Sequence, residues 1–400
     1  MTELISVAEA DARIAAIVQL APAIKCPLSK AAGRVLREDV LADRPLPPFD
    51  RVMMDGYAIR YKAIAECGGE FQICGQTFAG EATGKLGAAS NAAMEIMTGA
   101  PLPLGADTIV PYEDTERNGD VLKLLASDEV ELGEFIHRLG SDFAAKSKLV
   151  GAGSLLGPVE MGVAASCGYT EVLVSPRPRI TVVGTGDELV AVDQTPLPHQ
   201  IRASNATTLE SALALAKYHV GDIDHWPDDA VHGRERLRVV LSRSDVVVIA
   251  GAVSKGQRDW IPTALDEVAE CIFHGVYQRP GKPMGVWLTS DGRVIFALPG
   301  NPVSALVGLH RYVLPYLRQR EGGAPKSVPH VSLGQAVSFA PPLTWFLSVR
   351  LESDRLAFPM PVNNSGDYAR LCGTDGFIEL SADCSEWTAG FEAPFYRWSS

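Results

Sequence analysis

The stretch Asp245–Pro262, DVVVIAGAVSKGQRDWIP, decides the fold. Its apolar run Val246–Gly251 has the length and β-branched content of a buried strand, and hydroxyl, cationic and carboxylate side chains follow at once. The same arrangement recurs in RITVVGTGDELV, which starts at Arg179, and in GRVIFALPGNPVSAL, which starts at Gly292. Helix-like segments separate these runs. The alternation predicts a doubly wound α/β domain whose parallel sheet is covered on both faces.

Helix signals follow two of these strands. The segment NATTLESALALAKY predicts a helix that is capped either by Asn205 or by Thr207, whose spacing from Glu210 matches a capping box. After GRVIFALPG, Asn301 occupies a favourable cap position and Pro302 a favourable first helical position. The N-terminal segment has the periodicity of a further, amphipathic helix.

The remaining segments are richer in strands. Short β-branched or aromatic runs, separated by Gly, Asn and Asp turns, extend from about residue 50 to Asp142, and further short strands follow Gly322. Pro45, Pro47 and Pro48 indicate an extended connector before the first of these regions. Because the chain is long enough for about two to four domains, we expect small β domains beside the α/β domain.

Composition excludes several classes of protein. The chain of 400 residues is 46% hydrophobic and 21% charged, and it has no run of about 20 apolar residues that would span a membrane. Its net charge of −12 disfavours nucleic-acid binding, which requires a concentrated basic face. The seven cysteines form no C-x-x-C pair, and the N-terminus lacks the pattern of a signal peptide. These features predict a cytoplasmic globular protein.

Polar clusters follow the strands of the α/β segment. In open α/β sheets, ligands bind at the carboxyl ends of the strands, where loops and helix N-termini meet. GTGDEL places glycines and acids there, AGAVSKGQRD adds hydroxyl, cationic and carboxylate groups, and LPGNP precedes a helix. QRPGKP holds Arg279 and Lys282 around a Pro-Gly turn. Each motif alone is a weak signal, but together they predict a site for an anionic ligand and magnesium.

The chain resembles the MoeA/gephyrin E-domain family, the molybdopterin molybdenumtransferases of molybdenum-cofactor biosynthesis. The resemblance rests on PPFDRVMMDGYAIR, IMTGAPLPLGADTIVPYED, GTGDEL, IRASNATTL, AGAVSKGQRD, QRPGKP and LPGNPVSAL, which occur in this order. It covers nearly the whole chain and is weakest after about Arg320. It implies an enzyme that inserts molybdate into adenylylated molybdopterin and releases AMP in a magnesium-dependent reaction.

The resemblance also implies an architecture. We expect an elongated helical domain from residues 1–45 and 142–176, an inserted β domain from 46–141, a MogA-like α/β domain from 177–322 and a C-terminal β-barrel-like domain from 323–400. We also expect a homodimer, with each active cleft between the α/β domain of one subunit and parts of the other. The resemblance leaves open whether a MogA-like partner or molybdoenzyme maturation factors dock on it.

Site residues are implied motif by motif. The resemblance assigns molybdate binding to Arg279, Lys282, Ser304, Arg350 and Ser365. It assigns magnesium to Asp228 and Asp259, and catalysis to Asp55, Asp142, Glu188, Asp228, Asp259 and Lys282. It assigns contacts with the pterin or nucleotide to Thr98, Arg138, Gly184, Thr185, Gly186, Asp187, Glu188, Gly251, Ser254, Lys255, Gly281, Gly300 and Asn301. The residues expected to face the cleft from the partner subunit are Asp55, Thr98, Arg138 and Asp142.

Some positions depart from the family pattern. Ala250 and Ala252 stand where Ser and Gly are common, and alanine lacks the freedom of glycine at positive φ. Lys255 adds a cation, and Arg279 replaces a frequent lysine by a planar guanidinium. Because no implied metal ligand is lost, we favour a working enzyme. The alternatives are a MogA-type molybdopterin adenylyltransferase and a catalytically silent gephyrin-like scaffold, and for Asp55 alone a turn-capping carboxylate.

Overall fold

The computed structural model describes residues 4–253, 260–324, 327–362, 364 and 366–399. In these residues the α/β domain contains a six-stranded sheet in the order Val220–Trp226, Ile180–Thr185, Val246–Ala250, Val294–Leu298, Gly285–Leu288 and Glu270–His274. The first four strands run parallel, as predicted.

The strand Gly285–Leu288 departs from the predicted parallel sheet. It is antiparallel to both of its neighbours. The reason lies in the connection to Val294–Leu298, which spans only residues 289–293. Parallel neighbours need a crossover of about a dozen residues or more, so this short connection produces a hairpin.

Helices cover both faces of the α/β sheet, as predicted. One face packs against Val7–Ala16, Ser204–Leu215, Pro302–Gly308 and Leu314–Arg320, the last two joined by a π-helical turn. The other face packs against Ala230–Arg243 and Ile261–Asp266. Alternate residues of the central strand enter opposite cores: Val246 and Val248 lie in the first and Val247 and Ile249 in the second. No helix in the described residues is long and apolar enough to cross a membrane.

The region from about residue 50 to Asp142 is rich in strands, as predicted. Its main sheet has the order Thr108–Pro111, Gly56–Ile59, Ala92–Ile96, Glu70–Thr77, Val121–Leu124 and Thr115–Asn118, and helix Ala63–Cys67 lies in the same region. Short antiparallel pairs are Ile24–Pro27 with Glu171–Val174, Val40–Leu41 with Lys148–Val150, and Arg51–Val52 with Ile136–His137. Helix Pro158–Ser166 packs on the first two pairs. The domain boundaries stay a prediction.

The C-terminal strands form a closed barrel, as predicted. In the described residues the strands Thr344–Ser353, Leu356–Pro359, His330–Leu333, Glu392–Arg397 and Gly376–Leu380 pair in that order, and the last pairs back with the first. The short strand Gln278–Arg279 of the α/β domain adds to the barrel alongside Thr344–Ser353. Two-stranded pairs outside the main sheets join Leu189–Val190 to Ile201–Arg202 and Val337–Ser338 to Glu386–Trp387.

The barrel and the α/β domain share a core. Arg311 is buried and binds both Asp11, at 2.7 and 2.8 Å, and Glu379, at 2.8 Å. Burial disfavours the charge on Arg311, but the two carboxylates outweigh this effect and raise its pKa. The apolar core beneath also includes Phe346 and Phe377 of the barrel. The barrel is thus held firmly against the α/β domain.

Candidate functional site

The candidate site lies at the carboxyl edge of the α/β sheet. Strands Ile180–Thr185, Val246–Ala250 and Val294–Leu298 end side by side there, with Gly184 in register with Ala250. The loops that follow carry GTGDEL, the described part of AGAVSKGQRD, and LPGNP. The structure therefore brings together three of the motifs from which the site was predicted.

Glycines let the strand ends approach each other closely. Gly251 has a φ of +120° and donates a hydrogen bond of 3.0 Å to the Leu298 carbonyl. A Cβ atom on Gly251 would lie 2.4 Å from Thr185 Oγ1, and one on Gly300 would lie 3.3 Å from the Gly251 Cα. A side chain at position 251 would therefore force the strands apart. This packing sets Thr185, Gly251 and Gly300 next to one another.

Two buried polar atoms beside these glycines have no hydrogen-bond partner in the described residues. They are Thr185 Oγ1, on a residue that is only 4% exposed, and Asn205 Oδ1. Asn205 Nδ2 donates a hydrogen bond of 2.7 Å to the Gly300 carbonyl, which fixes the direction of Oδ1. An unsatisfied buried polar group costs about 1–3 kcal/mol, so a ligand with matching donors gains affinity here.

Asn205 has a different role from the predicted one. The helix begins at Ser204 after Ala203, so the predicted caps, Asn205 and Thr207, both lie inside it. The cap prediction was wrong because the Asn205 carboxamide binds Gly300, which is 95 residues away in sequence. Sequence reasoning missed this residue as part of the site, although its place just after a strand and at a helix start was a usable signal.

Acidic residues occupy the loops beside Thr185. Asp187 Oδ1 accepts a hydrogen bond of 2.9 Å from the Asp228 amide, so these two predicted residues are neighbours. Glu188 folds back over Gly186, where its carboxylate oxygens lie 2.7 Å from the position of a Cβ atom. His225 Nε2 lies 3.1 Å from the Gly186 carbonyl and must therefore carry the proton. Three predicted residues of this region, Ser254, Lys255 and Asp259, lie outside the described residues.

Two exposed cations lie where the α/β domain meets the barrel. Arg279 and Lys282 have no carboxylate partner in the part of the chain that the structure describes, and both are exposed. The turn between them is fixed because Gln278 Nε2 donates to the Gly281 carbonyl at 3.2 Å. A Cβ atom on Gly281 would lie 3.8 Å from the Ser304 carbonyl, so the turn adjoins helix Pro302–Gly308. The structure thus joins QRPGKP to the helix that follows LPGNP.

The other predicted molybdate residues are more scattered. Ser304 lies in the first turn of helix Pro302–Gly308 but is only 3% exposed. Arg350 is exposed on the barrel strand, where it pairs with Phe358 and not with the Gln278–Arg279 strand. Ser365 lies outside the described residues. Asn301 takes the predicted cap position, although its side chain makes no capping hydrogen bond among the described residues.

The cleft residues predicted to come from the partner subunit form a second group, here called the loop group: Asp55, Thr98, Arg138 and Asp142. Asp55 Oδ1 accepts hydrogen bonds from the Thr98 amide, at 2.6 Å, and from the Thr98 hydroxyl, at 2.7 Å. These bonds hold the pKa of Asp55 below its usual range. Asp55 therefore joins its own loop to the loop that contains Thr98, which is 43 residues away in sequence. This contact goes beyond the turn-capping role that was considered for Asp55.

Histidine and arginine side chains support the rest of the loop group. Arg51 Nη2 donates to His137 Nδ1 at 3.1 Å, so His137 Nε2 donates its proton to Asp142 Oδ1 at 2.8 Å. Arg138 binds Asp50 at 2.9 Å. Among the described residues, no hydrogen bond or ion pair connects the loop group with the carboxyl edge of the sheet.

Comparison with family models gives two matches. The model of the MoeA N-terminal region (domain I and II) matches residues 5–168. A second model, described as a probable molybdopterin binding domain, matches residues 181–319. The second match includes the sheet and the loops of the candidate site, and the first includes the loop group.

Individual proteins resemble the chain over most of its length. A relative from Synechocystis named molybdopterin molybdenumtransferase is 35% identical over 373 residues, which cover 92% of this chain and 93% of the relative. Molybdopterin molybdenumtransferase 1 of Mycobacterium tuberculosis is 32% identical and covers 78% of each chain. The solved structure of a molybdopterin biosynthesis MoeA protein from Pyrococcus horikoshii has a TM-score of 0.82 at 27% identity, with 100% of both chains covered.

Proposed function

The chain belongs to the MoeA family, and we therefore propose that it is a molybdopterin molybdenumtransferase. The reaction inserts molybdate into adenylylated molybdopterin, releases AMP and leaves molybdenum on the pterin dithiolene. The observation that carries the proposal is the pair Arg279 and Lys282, exposed and without a carboxylate partner in the described residues of a chain with net charge −12. We propose that these two cations, which are fixed around one turn, hold the molybdate oxyanion.

The edge of the sheet supplies the groups that hold the rest of the substrate. Thr185 Oγ1 and Asn205 Oδ1 offer hydrogen bonds to a polar heterocycle or sugar, since neither has a partner among the described residues. The Gly251 and Gly300 backbones leave room for a ligand to approach the strand ends. We propose that the nucleotide and pterin lie along this edge, with the molybdate site at the turn that holds Arg279 and Lys282.

Magnesium fits the carboxylates at this edge. Asp187 and Asp228 are neighbours there, because the Asp228 amide donates a hydrogen bond to Asp187 Oδ1. This donor set suits magnesium, which keeps several waters and binds through one or two carboxylates together with substrate phosphates. We propose that Asp228 and Asp259 hold the ion. When bound, magnesium would neutralise charge on the phosphoanhydride that breaks.

We also propose that the active protein is a homodimer. Large exposed apolar side chains border the loop group, namely Phe49, Met53, Met54, Leu139 and Phe143. Exposed apolar patches of this kind mark protein interfaces. A second copy that covers this patch would carry its loop group to the carboxyl edge of the first chain, where Asp55 and Asp142 would add to the acidic residues Asp187 and Asp228.

A mixed dimer tests this arrangement. Subunits with Asp55→Asn and Lys282→Ala are inactive in homodimers if both residues act in the site. A purified heterodimer of the two variants regains one complete site, and about half of the wild-type activity, only if each site draws on both subunits. An inactive heterodimer would place both residues in the same site of one chain.

The reaction itself is tested by AMP release from adenylylated molybdopterin. We expect release by the wild-type protein to require molybdate and magnesium. Lys282→Ala and Asp228→Asn should each lower the rate by about a hundredfold, as expected for loss of one charge-stabilising group. The exposed residues Lys123 and Asp193 serve as matched controls, since Lys123→Ala and Asp193→Asn should leave the rate unchanged.

The same assay separates the alternatives. A MogA-type adenylyltransferase would form adenylylated molybdopterin from molybdopterin and ATP instead of consuming it. A folded wild-type protein that releases no AMP would support the silent scaffold. We place the reaction in the cytoplasm, a proposal supported by the seven free cysteines.

A further inference from the structure

We propose that Phe339 is a positioning residue that sets the plane of the Arg279 guanidinium for molybdate binding. This inference rests on the proposed function, because it specifies how one residue of that site holds its anionic substrate. It concerns a side chain of the C-terminal barrel that no motif singled out.

The guanidinium of Arg279 lies over an aromatic ring. Its Cζ atom is 5.7 Å from the centroid of the Phe339 ring, which is within the range of a cation–π contact. Arg279 has no carboxylate partner in the described part of the chain and is exposed. The ring therefore fixes one face of the guanidinium without using its N–H donors. The contact leaves the five N–H donors of the planar guanidinium available to a ligand.

The ring is itself held by further aromatic side chains. Phe339 stacks on Trp345 with centroids 4.7 Å apart and planes inclined by 19°. Trp345 packs against Trp387 at 6.4 Å, and Trp387 is buried in the barrel core. The backbone completes this support, because Arg279 pairs directly with Trp345 between parallel strands. The barrel thus controls both the backbone and the side chain of Arg279.

This support explains why arginine functions at position 279. A lysine is a flexible point charge that needs no ring beneath it, whereas a planar guanidinium must be oriented before it can bind two oxygens of a tetrahedral dianion. A ring that pre-orients the fork reduces the entropy lost on binding. Phe339 should therefore affect molybdate affinity and leave the chemical step almost unchanged.

Kinetics of Phe339 variants test the inference. A cation–π contact at an exposed site contributes about 0.5–1 kcal/mol, which corresponds to about a two- to fivefold change. We expect Phe339→Leu to raise the KM for molybdate by about that factor with kcat unchanged, and Phe339→Tyr to restore the wild-type KM. Phe391→Leu is the matched control, since Phe391 is an exposed ring of the same region.

A second background separates stacking from general damage to the barrel. In an Arg279→Lys protein, Phe339→Leu should change the KM for molybdate by less than in the wild-type background, because lysine does not depend on the ring. Equal factors in the two backgrounds would overturn the inference, and so would an unchanged KM in the Phe339→Leu protein.

Direct binding keeps this test independent of turnover. Calorimetric titration with sodium molybdate measures the Kd without turnover. The Kd of the Phe339→Leu protein should exceed that of the wild-type protein by the same factor as the KM, about two- to fivefold. If wild-type protein released no AMP, the proposed function would fail, and the Kd ratio would still decide the role of Phe339. An unchanged Kd would contradict that role whatever the activity.

Discussion

Asn205 and Gly300 are joined by a hydrogen bond of 2.7 Å from the Asn205 carboxamide to the Gly300 carbonyl. This bond ties the start of one helix to the loop before another and leaves Asn205 Oδ1 without a partner among the described residues. Among the described residues, Thr185 Oγ1 on the other side of Gly251 likewise has no partner. Because an unpaired buried polar atom lowers stability, we propose that this edge of the sheet binds a ligand.

Thr185→Val tests whether that hydroxyl serves the ligand. Valine keeps the shape but removes a buried polar group that has no partner in the described residues, so stability should be unchanged or about 1 kcal/mol higher. Affinity for adenylylated molybdopterin should fall about fivefold, as expected for one lost hydrogen bond. Urea unfolding and calorimetric titration measure the two effects.

Thr181 provides a matched control on the same strand. It is equally buried, but its hydroxyl lies 2.7 Å from the Ser244 hydroxyl. Thr181→Val should therefore lower the free energy of unfolding by about 1–3 kcal/mol and leave substrate affinity unchanged. If both valine variants lost the same stability, Thr185 would have a structural role only.

Ala252→Gly should stabilise the protein. Ala252 takes a φ of +49°, which confirms that this position requires the conformation that glycine favours. Because alanine is strained there, replacement by glycine should raise the free energy of unfolding by about 1 kcal/mol. Ala250→Gly, in the adjoining strand, should lower it by about 0.5–1 kcal/mol. The same sign for both variants in urea unfolding would refute this account of the loop.

Arg311→Met should weaken the contact between the barrel and the α/β domain and so lower the free energy of unfolding. The substitution leaves Glu379 and Asp11 without their shared cation, so we expect a loss of about 3 kcal/mol in the free energy of unfolding. Arg397→Met removes an exposed arginine of the same barrel and should cost less than about 1 kcal/mol. If the Arg311→Met and Arg397→Met proteins lost equal free energy of unfolding, the buried network would contribute no more to stability than an exposed arginine.

His310 should make stability depend on pH. The residue is 9% exposed, and burial lowers its pKa to about 4. The unfolded chain gains a proton on His310 near pH 6.5, whereas the folded chain gains it only near pH 4, so stability falls as the pH drops between these values. The total effect of this group is roughly 3 kcal/mol.

His310→Phe is the variant that isolates this effect. It should lose less stability than wild type between pH 7.5 and pH 4.5, as measured by urea unfolding at each pH. Carboxylates contribute equally to both proteins, so the comparison cancels them. An identical loss in the two proteins would contradict the titration of His310.

The sequence predicts much of the α/β domain because its strands are continuous apolar runs. Val246–Ala250 and Val294–Leu298 occur where the pattern places them, and Pro302 begins its helix as expected. The antiparallel hairpin was missed because the short run Gly285–Leu288 was not identified as a strand, although its short connection to Val294–Leu298 determines its direction. The motifs likewise identify which loops meet at the carboxyl edge.

Contacts between residues far apart in sequence could not be predicted from the sequence pattern. The partner of Asn205 is set by how two helices pack, and the ring beneath Arg279 comes from Phe339, which follows the short strand Val337–Ser338 and belongs to no motif. The predicted roles of Ser304, Arg350 and the loop group also depend on tertiary and subunit geometry. These roles stay predictions.

The most direct test of the molybdenumtransferase proposal is the stoichiometry of a single turnover. Purified protein is loaded with adenylylated molybdopterin, magnesium and molybdate, and both the AMP released and the molybdenum bound to pterin are measured. The account predicts equal amounts of the two products and no AMP when molybdate is omitted. AMP release that does not depend on molybdate, or that leaves no molybdenum on the pterin, would contradict it.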